Sequence, residues 1–270
     1  MTLRPTGPAE TYENYFVPAM FRPWANILLQ HATLRPGERV LDVASGTGVV
    51  AREAAARVGD QGRVSAVDIS PAMLDVARGL PVPTGAEIDW QTGEASALPF
   101  ADASFDVALC QHGLQFFSDR LAAAREMRRV LVAGGRALAI VLRGLALHPV
   151  FEAVMSATAR QLSVPLHTVS IPFALHDPAE LRRPFLDAGF ADVEIREVSL
   201  PVRFPEPERF VPLAVTSSAA AVPAFAALEG PTRAALVAAI GLDVEPVLRQ
   251  YRSADFVHFP MFAQLAIAKM

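Results

Sequence analysis

Arg39-Val40-Leu41-Asp42-Val43-Ala44-Ser45-Gly46-Thr47-Gly48-Val49-Val50-Ala51 decides the fold of this chain. Arg39 to Ala44 is a short apolar run bounded by turn formers and carrying an acid, the pattern of a buried strand. A glycine-rich turn follows and opens an alanine-rich helix through Arg57. Working outward, Arg63 to Asp68 is a second strand that also ends in an acid. Ser70-Pro71 supplies an N-cap and a first helical residue, and Gly79 closes that helix. Glu87 to Gln91, Phe105 to Cys110 and Arg136 to Leu142 read as the third, fourth and fifth strands. Before the fifth, Ser118 or Asp119 caps a helix running to about Leu131 and ended by Gly134-Gly135.

Strands alternating with helices at this spacing predict an α/β fold: a doubly wound, mostly parallel sheet with helices on both faces. Right-handed crossovers bring the strand C-termini to one edge. Asp42, Asp68, Glu94 and Gln111 all fall there. After Leu142 the rhythm changes. Val150 to Leu162 reads as a helix. Asp177-Pro178-Ala179-Glu180 has the capping-box pattern of a helix ending at Gly189, with Pro184 as a kink or break inside it. Asp192 to Leu200 and Phe256 to Ala268 read as strands and bring the sheet to seven. One domain is expected, its core about residues 35–143, 179–200 and 254–270. The rest, about 1–31, 144–178 and 201–253, forms a helical lid over the ligand edge.

Composition narrows the function. Apolar residues make up 52% of the 270 and charged residues 19%, too apolar for a disordered chain. A net charge of −4 offers no broad basic surface, so neither nucleic acid nor an anionic membrane is the expected partner. Cys110 stands alone, which rules out an intrachain disulfide and a multi-thiolate metal site and fits a reducing cytoplasm. The histidines show no metal-ligand spacing, so no metal is expected. The first twenty residues carry Arg4, Glu10 and Glu13 and no continuous apolar run, so no signal peptide is expected. Phe210 to Leu228 is long and uncharged, but Pro212 and Pro223 interrupt it. It reads as helices of an apolar cover rather than a membrane span.

The glycine turn has two readings. Gly46, Gly48 and Ala51 match the dinucleotide pattern G-x-G-x-x-(G/A), and Asp68 lies twenty residues after Gly48, where a ribose-binding acid belongs. That favours an NAD(P)-dependent oxidoreductase. Asp42 argues the other way. A fixed anion beside the helix N-terminus opposes a pyrophosphate by on the order of 1–4 kcal/mol per charge pair. A cationic cofactor without phosphate gains instead, and S-adenosylmethionine has that character.

Four ordered stretches then carry a resemblance: VLDVASGTGVVA (Val40 to Ala51), VSAVDISPAML (Val64 to Leu74), GEASALPFADASFDVALC (Gly93 to Cys110) and REMRRVLVAGGRALAIV (Arg125 to Val141). Together they resemble the Rossmann-like, class I S-adenosylmethionine-dependent methyltransferases, in the group related to the ubiquinone/menaquinone biosynthesis enzymes. The likeness covers Arg39 to Leu142 and extends weakly over Tyr12 to Ala32 and Asp177 to Leu200. It implies that Asp42 and the backbone of Ala44, Ser45 and Gly46 hold the methionine tail, with Thr47 and Gly48 lining the turn. It gives Asp68 the ribose hydroxyls and packs Ile69 on the adenine, with Met73 nearby. Glu94 and Ala95 lie against the adenine, and Gln111 follows a strand whose carbonyl meets the tail. Ala44 departs from a loop glycine, and Glu94 from the commoner aspartate.

The reaction so implied is transfer of a methyl group to a small, apolar or aromatic organic acceptor. His112 is a candidate general base, since an unperturbed imidazole titrates near neutrality. Tyr15 is the second catalytic candidate; with Tyr12 it belongs to a segment that the family folds over the cofactor. Plainer readings stand beside these: solvated strand-end acids, a half-buried histidine, packed tyrosines, and Phe116 and Phe117 as core. A protein that binds S-adenosylmethionine without methylating remains an alternative, and the oligomeric state stays open, a homodimer included.

Overall fold

The computed structural model describes residues 7–81, 84–219 and 222–270. Its strands are β1 (Arg39–Val43), β2 (Arg63–Asp68), β3 (Ile88–Thr92), β4 (Phe105–Gln111), β5 (Leu131–Leu142), β6 (Asp192–Pro205) and β7 (Phe256–Lys269). They form one sheet in the order β3-β2-β1-β4-β5-β7-β6, with β7 antiparallel to both neighbours. This is the seven-stranded, mostly parallel sheet that the sequence predicts. The helices are α1 (Pro8–Thr11), α2 (Arg22–Ala32), α3 (Val49–Val58), α4 (Pro71–Gly79), α5 (Arg120–Arg129), α6 (Pro149–Leu162), α7 (Leu166–Val169), α8 (Pro178–Asp187), α9 (Pro207–Ala219), α10 (Pro223–Ala226) and α11 (Gly230–Leu248). A π-helical segment, Tyr12–Phe21, joins α1 to α2.

Period-two alternation sorts the central strands between two cores. Val40, Val107, Leu109, Leu138 and Ile140 pack with α2 and α3 on one face. Leu41, Val43, Ala108, Cys110, Ala137 and Ala139 pack with α5 and α8 on the other. From β1 the chain winds out to β2 and β3, then returns to β4 on the far side of β1. The crevice at the C-terminal ends of β1 and β4 is therefore the switch point, where ligands bind in such sheets.

Several local expectations are corrected. Asp119 caps α5 by accepting the Ala122 N–H at 2.8 Å, but α5 ends at Arg129, not at Gly134-Gly135. Leu131 already pairs with Phe105, and the next β5 residue to pair is Arg136, opposite Val107. The residues between them bulge, with Gly134 at φ +77°. Pro184 does not break α8. Leu181 and Phe185 on either side of it are fully buried, so packing outweighs one lost backbone bond. Asp177 caps this helix through the Ala179 N–H at 2.8 Å.

Pro201 to Pro205 is strand, not helical insert. Leu200 through Pro205 pairs with Met261 through Phe256 as a ribbon that runs past the sheet. Val202 and Phe204 face inward while Pro201, Arg203 and Pro205 face out, a period-two pattern that the prolines disguise.

The other helices cover that end of the molecule. Phe151 of α6, Phe204 of the ribbon, Phe210 of α9 and Phe259 of β7 meet with ring centroids 5.0–5.9 Å apart. Each such pair adds roughly 0.5–1.5 kcal/mol beyond area burial. Among the described residues no helix is long and apolar enough to cross a membrane. Phe210 to Leu228 divides between α9 and α10, with residues 220–221 outside the described part, as are residues 1–6 of the expected lid, Arg4 included.

His148 ties the cover to the sheet. Its buried Nε2 accepts the Phe262 N–H at 3.0 Å, and its Nδ1 lies 3.1 Å from the Gly144 carbonyl. That arrangement needs a neutral ring, and burial holds its pKa below the ordinary histidine value. We expect His148→Leu to lose about 1–3 kcal/mol through unpaired backbone groups. Urea unfolding measures it, and an unshifted midpoint contradicts the anchoring role.

Candidate functional site

After β1 the chain turns sharply. Ala44 sits at φ +57°, a left-handed conformation that costs a residue with a Cβ on the order of 1–2 kcal/mol. Room for its methyl comes from Gly113: a Cβ there would lie 2.7 Å from the Ala44 Cβ and 3.0 Å from the Cys110 Sγ. The alanine that departs from the loop-glycine pattern is thus matched by a glycine across the crevice.

Two carboxyls hold the turn. Asp68 Oδ2 accepts the Gly46 N–H at 2.7 Å, and its Oδ1 accepts the Ser70 N–H at 2.8 Å. The end of β2 thereby fixes both the β1 turn and the start of α4. Ser70 Oγ caps α4 by accepting the Met73 N–H. Asp42 is buried, and its Oδ2 accepts the Ala51 N–H in the first turn of α3 at 3.0 Å. Burial pushes this carboxyl up to about 8, the Asp68 charge adds to the shift, and the Ala51 N–H and Arg52 oppose it.

This corrects the fixed-anion argument. A carboxyl with a pKa near 8 is mostly protonated at neutral pH, so charge repulsion alone does not exclude a pyrophosphate. The exclusion comes from occupancy. A pyrophosphate would draw on loop and helix N–H groups, and those of Gly46 and Ala51 already bond to Asp68 and Asp42.

Thr47 and Gly48 do not line the groove. The Thr47 carbonyl accepts from Arg52, and a Cβ on Gly48, at φ +83°, would lie 2.2 Å from Trp90. Arg52 also pairs with Glu13 at 3.2 Å, both side chains about nine-tenths buried. This buried pair fastens the π-helical segment to the glycine turn.

A groove of about 420 Å³ opens above the turn. Ala44, Gly46, Asp68 and Ile69 line it, and so do Met73, Glu94, Ala95 and Gln111. Ile69 is 66% exposed, an apolar side chain left open beside it. Asp42, Ser45, Thr47 and Gly48 are absent from its lining. Among the described residues, Asp42 Oδ1, Ser45 Oγ and Thr47 Oγ1 are buried without a hydrogen-bond partner, as is Oε1 of Gln111, whose Nε2 donates to the Phe21 carbonyl.

A second cavity of about 310 Å³ adjoins the groove, and Tyr12, His112 and Phe116 line both. Its lining is largely apolar, with Phe16, Met20, Phe151 and Phe173 prominent and, among the described residues, no Asp, Glu, Lys or Arg. His112 stands at the junction at φ +51°, edge-on to Phe21 and Trp24 at 5.8 and 5.9 Å. Burial pushes its pKa down to about 3. A general base works best with a pKa near the operating pH, so burial weakens the basicity on which the role suggested by the sequence relies.

Tyr15 is also corrected. Its hydroxyl donates to the Pro205 carbonyl at 3.0 Å, its ring stacks on Phe204, and it lines neither cavity. Tyr12 takes the place at the junction, stacked on Phe21 at 4.7 Å. Phe116 is 57% exposed, not core. The signal for it lay in its position, just past the end of β4 on the ligand edge. Among the described residues no group of three or more His, Cys, Asp or Glu could hold a metal ion.

Comparisons with known proteins agree with this geometry. A family described as a methyltransferase domain matches residues 40–135. The ubiquinone/menaquinone biosynthesis C-methyltransferase UbiE of Xanthomonas campestris is 43% identical over 118 residues, 43% of this chain and 47% of that protein. The chain thus spans about half the length of such relatives. UbiE of Shewanella woodyi is 33% identical over 187 residues, 64% of this chain and 74% of that protein. The YcgJ protein of Bacillus subtilis superposes with a TM-score of 0.57 at 19% identity, covering 91% of this chain and 97% of that one. At that identity the likeness speaks for the fold alone.

The Ala44–Gly113 contact makes its own prediction. Gly113→Ala should cost about 1–3 kcal/mol by overpacking, and adding Ala44→Gly should restore much of it. Denaturation of both variants checks this. Equal losses in the single and double variants would show that the two positions are not coupled.

Proposed function

We propose, from the premise that this chain belongs to the class I S-adenosylmethionine-dependent methyltransferases related to UbiE, that it moves a methyl group to a small, apolar or aromatic organic acceptor by in-line displacement. The observation that carries this reading is the meeting of a polar groove and an apolar cavity at Tyr12, His112 and Phe116. Donor and acceptor sites must touch for a direct transfer, and the shared lining of groove and cavity supports that assignment.

The residues present suit S-adenosylmethionine. Gln111 lines the groove, and its Oε1 has no hydrogen-bond partner among the described residues, an acceptor that fits the ammonium of an amino-acid tail. Each Asp68 oxygen keeps lone-pair capacity after its backbone bond, enough for two ribose hydroxyls. Ile69, Met73 and Ala95 offer apolar surface to a purine, and Glu94 an acceptor for its amino group. The same groove gives a dinucleotide little, because its turn N–H groups are engaged.

The bound donor supplies an activated methyl on a sulfonium leaving group. The remaining work of the chain is to hold and to shield. Tyr12, His112 and Phe116 shape the passage between the sites, and the phenylalanines of the cover keep water away. Alignment of the reacting groups is worth on the order of 7–11 kcal/mol. Burial holds the His112 pKa down to about 3, which makes it a weak general base. A reducing cytoplasm suits the one thiol, Cys110, which is fully buried and pushed up to about 12 by that burial.

Calorimetry tests the reading: S-adenosylhomocysteine should bind and NADH should not, and the reverse would overturn it. Asp68→Ala should weaken S-adenosylhomocysteine binding by about 1.5–3 kcal/mol. Unchanged affinity in a folded variant refutes the ribose assignment. Asp42 gives a pH prediction. A ligand ammonium beside it favours the ionised carboxylate, so binding near neutral pH should release a proton, and affinity should rise with pH up to about 8. Titrations in buffers of different ionisation enthalpy count that proton. No release would remove Asp42 from the ammonium contact.

A further inference from the structure

We infer that Gln115 and His112 form a neutral hydrogen-bonding pair that selects acceptors bearing a hydroxyl group, and that this pair sets the specificity of the apolar cavity. The inference deepens the methyltransferase reading, on which it rests for the word acceptor.

The cavity is apolar except at a few places. Ser218 is already engaged through the Val215 carbonyl at 3.3 Å. Gln115 differs: it lines the cavity, is 4% exposed, and its Nε2 donates to the His112 carbonyl at 2.9 Å. That bond fixes which end of the amide is nitrogen. The Oε1 is left buried without a partner among the described residues, and an amide oxygen can only accept. Whatever satisfies it must bring an N–H or O–H.

His112 supplies the complement. It lines the same cavity, and neither ring nitrogen has a partner among the described residues. A neutral imidazole offers one N–H and one lone pair. Both residues stand on a braced backbone: the His112 N–H donates to the Ile140 carbonyl at 2.8 Å, and Arg120 donates to the carbonyls of Leu114 and Gln115. A hydroxyl carries the complement of both groups: its O–H can donate a hydrogen bond to Gln115 Oε1, and its oxygen can accept one from the imidazole N–H. A hydrocarbon leaves both unpaired, and a buried polar group without a partner is costly. A carboxylate or ammonium meets no countercharge in this lining and loses its hydration. Sites built to bond a hydroxyl reject analogues that lack it.

Binding of matched probes to the full chain, saturated with S-adenosylhomocysteine, tests this without a known substrate. By calorimetry 1-naphthol should bind about tenfold or more tighter than 1-methylnaphthalene, and 1-naphthoate should bind weakest. In Gln115→Leu the preference for naphthol should collapse while methylnaphthalene binding is kept, which simple loss of stability would not produce. His112→Asn retains a donor and an acceptor and tolerates positive φ, so it should keep part of the preference. Equal binding of naphthol and methylnaphthalene by the unaltered protein overturns the inference, as does an unchanged preference in folded Gln115→Leu. The comparison in the unaltered protein decides by itself if that variant does not fold. Loss of S-adenosylhomocysteine binding by the unaltered protein would strike the methyltransferase reading, whereas its binding without probe selectivity would strike only the Gln115–His112 pair.

Discussion

The carboxylate of Asp68 is the contact on which the site depends. It stands at the end of β2 and accepts one N–H from the glycine turn and another from the start of α4. The glycine turn after β1, the end of β2 and the start of α4 take their relative positions from this one group. Asp42 does the same work one strand over, joining the end of β1 to the first turn of α3. With those amides engaged, the crevice can no longer behave as a phosphate cradle, although its glycines have the spacing of one. The distinction between two cofactor classes therefore lies in which partner the backbone N–H groups have already found.

The second organising element is the cover. The π-helical segment is fastened by the buried Glu13–Arg52 pair, the Gln111 bond to Phe21 and the Tyr15 bond to Pro205. Removing one partner of a buried ion pair typically costs about 3–5 kcal/mol, because a lone charge is left inside. This cover delivers Tyr12 to the passage between groove and cavity. It also dries the surroundings of His112 and so keeps the imidazole neutral. The electrostatic character of the site follows from packing contributed by segments outside the central sheet.

That division explains what the sequence could and could not reveal. The first four strands, the acids at the ends of β1 and β2 and the caps at Ser70 and Asp119 depend on local pattern, and they stand within a residue of where the sequence predicts. The raised pKa of Asp42 depends on burial from several directions, which no neighbouring residue announces. Choosing between Tyr12 and Tyr15 required knowing that the segment winds as a π-helix, where 3.6-residue spacing does not place side chains. Pro201 and Pro205 hid the end of β6, because proline argues against strand unless the strand is an edge. The partnership of Ala44 with Gly113 was invisible because it joins residues far apart in the chain.

That edge carries one more consequence. β6 is the outermost strand, fourteen residues long, long enough to template growth by a neighbouring molecule. Its outward positions hold Glu194, Arg196, Arg203, Pro201 and Pro205. Prolines present no amide hydrogen to an incoming strand, and charges resist the desolvation that pairing would demand. The ribbon that supports the cover is thus also a built-in guard against edge-to-edge aggregation, and it spares the chain a separate element to shield its longest unpaired border.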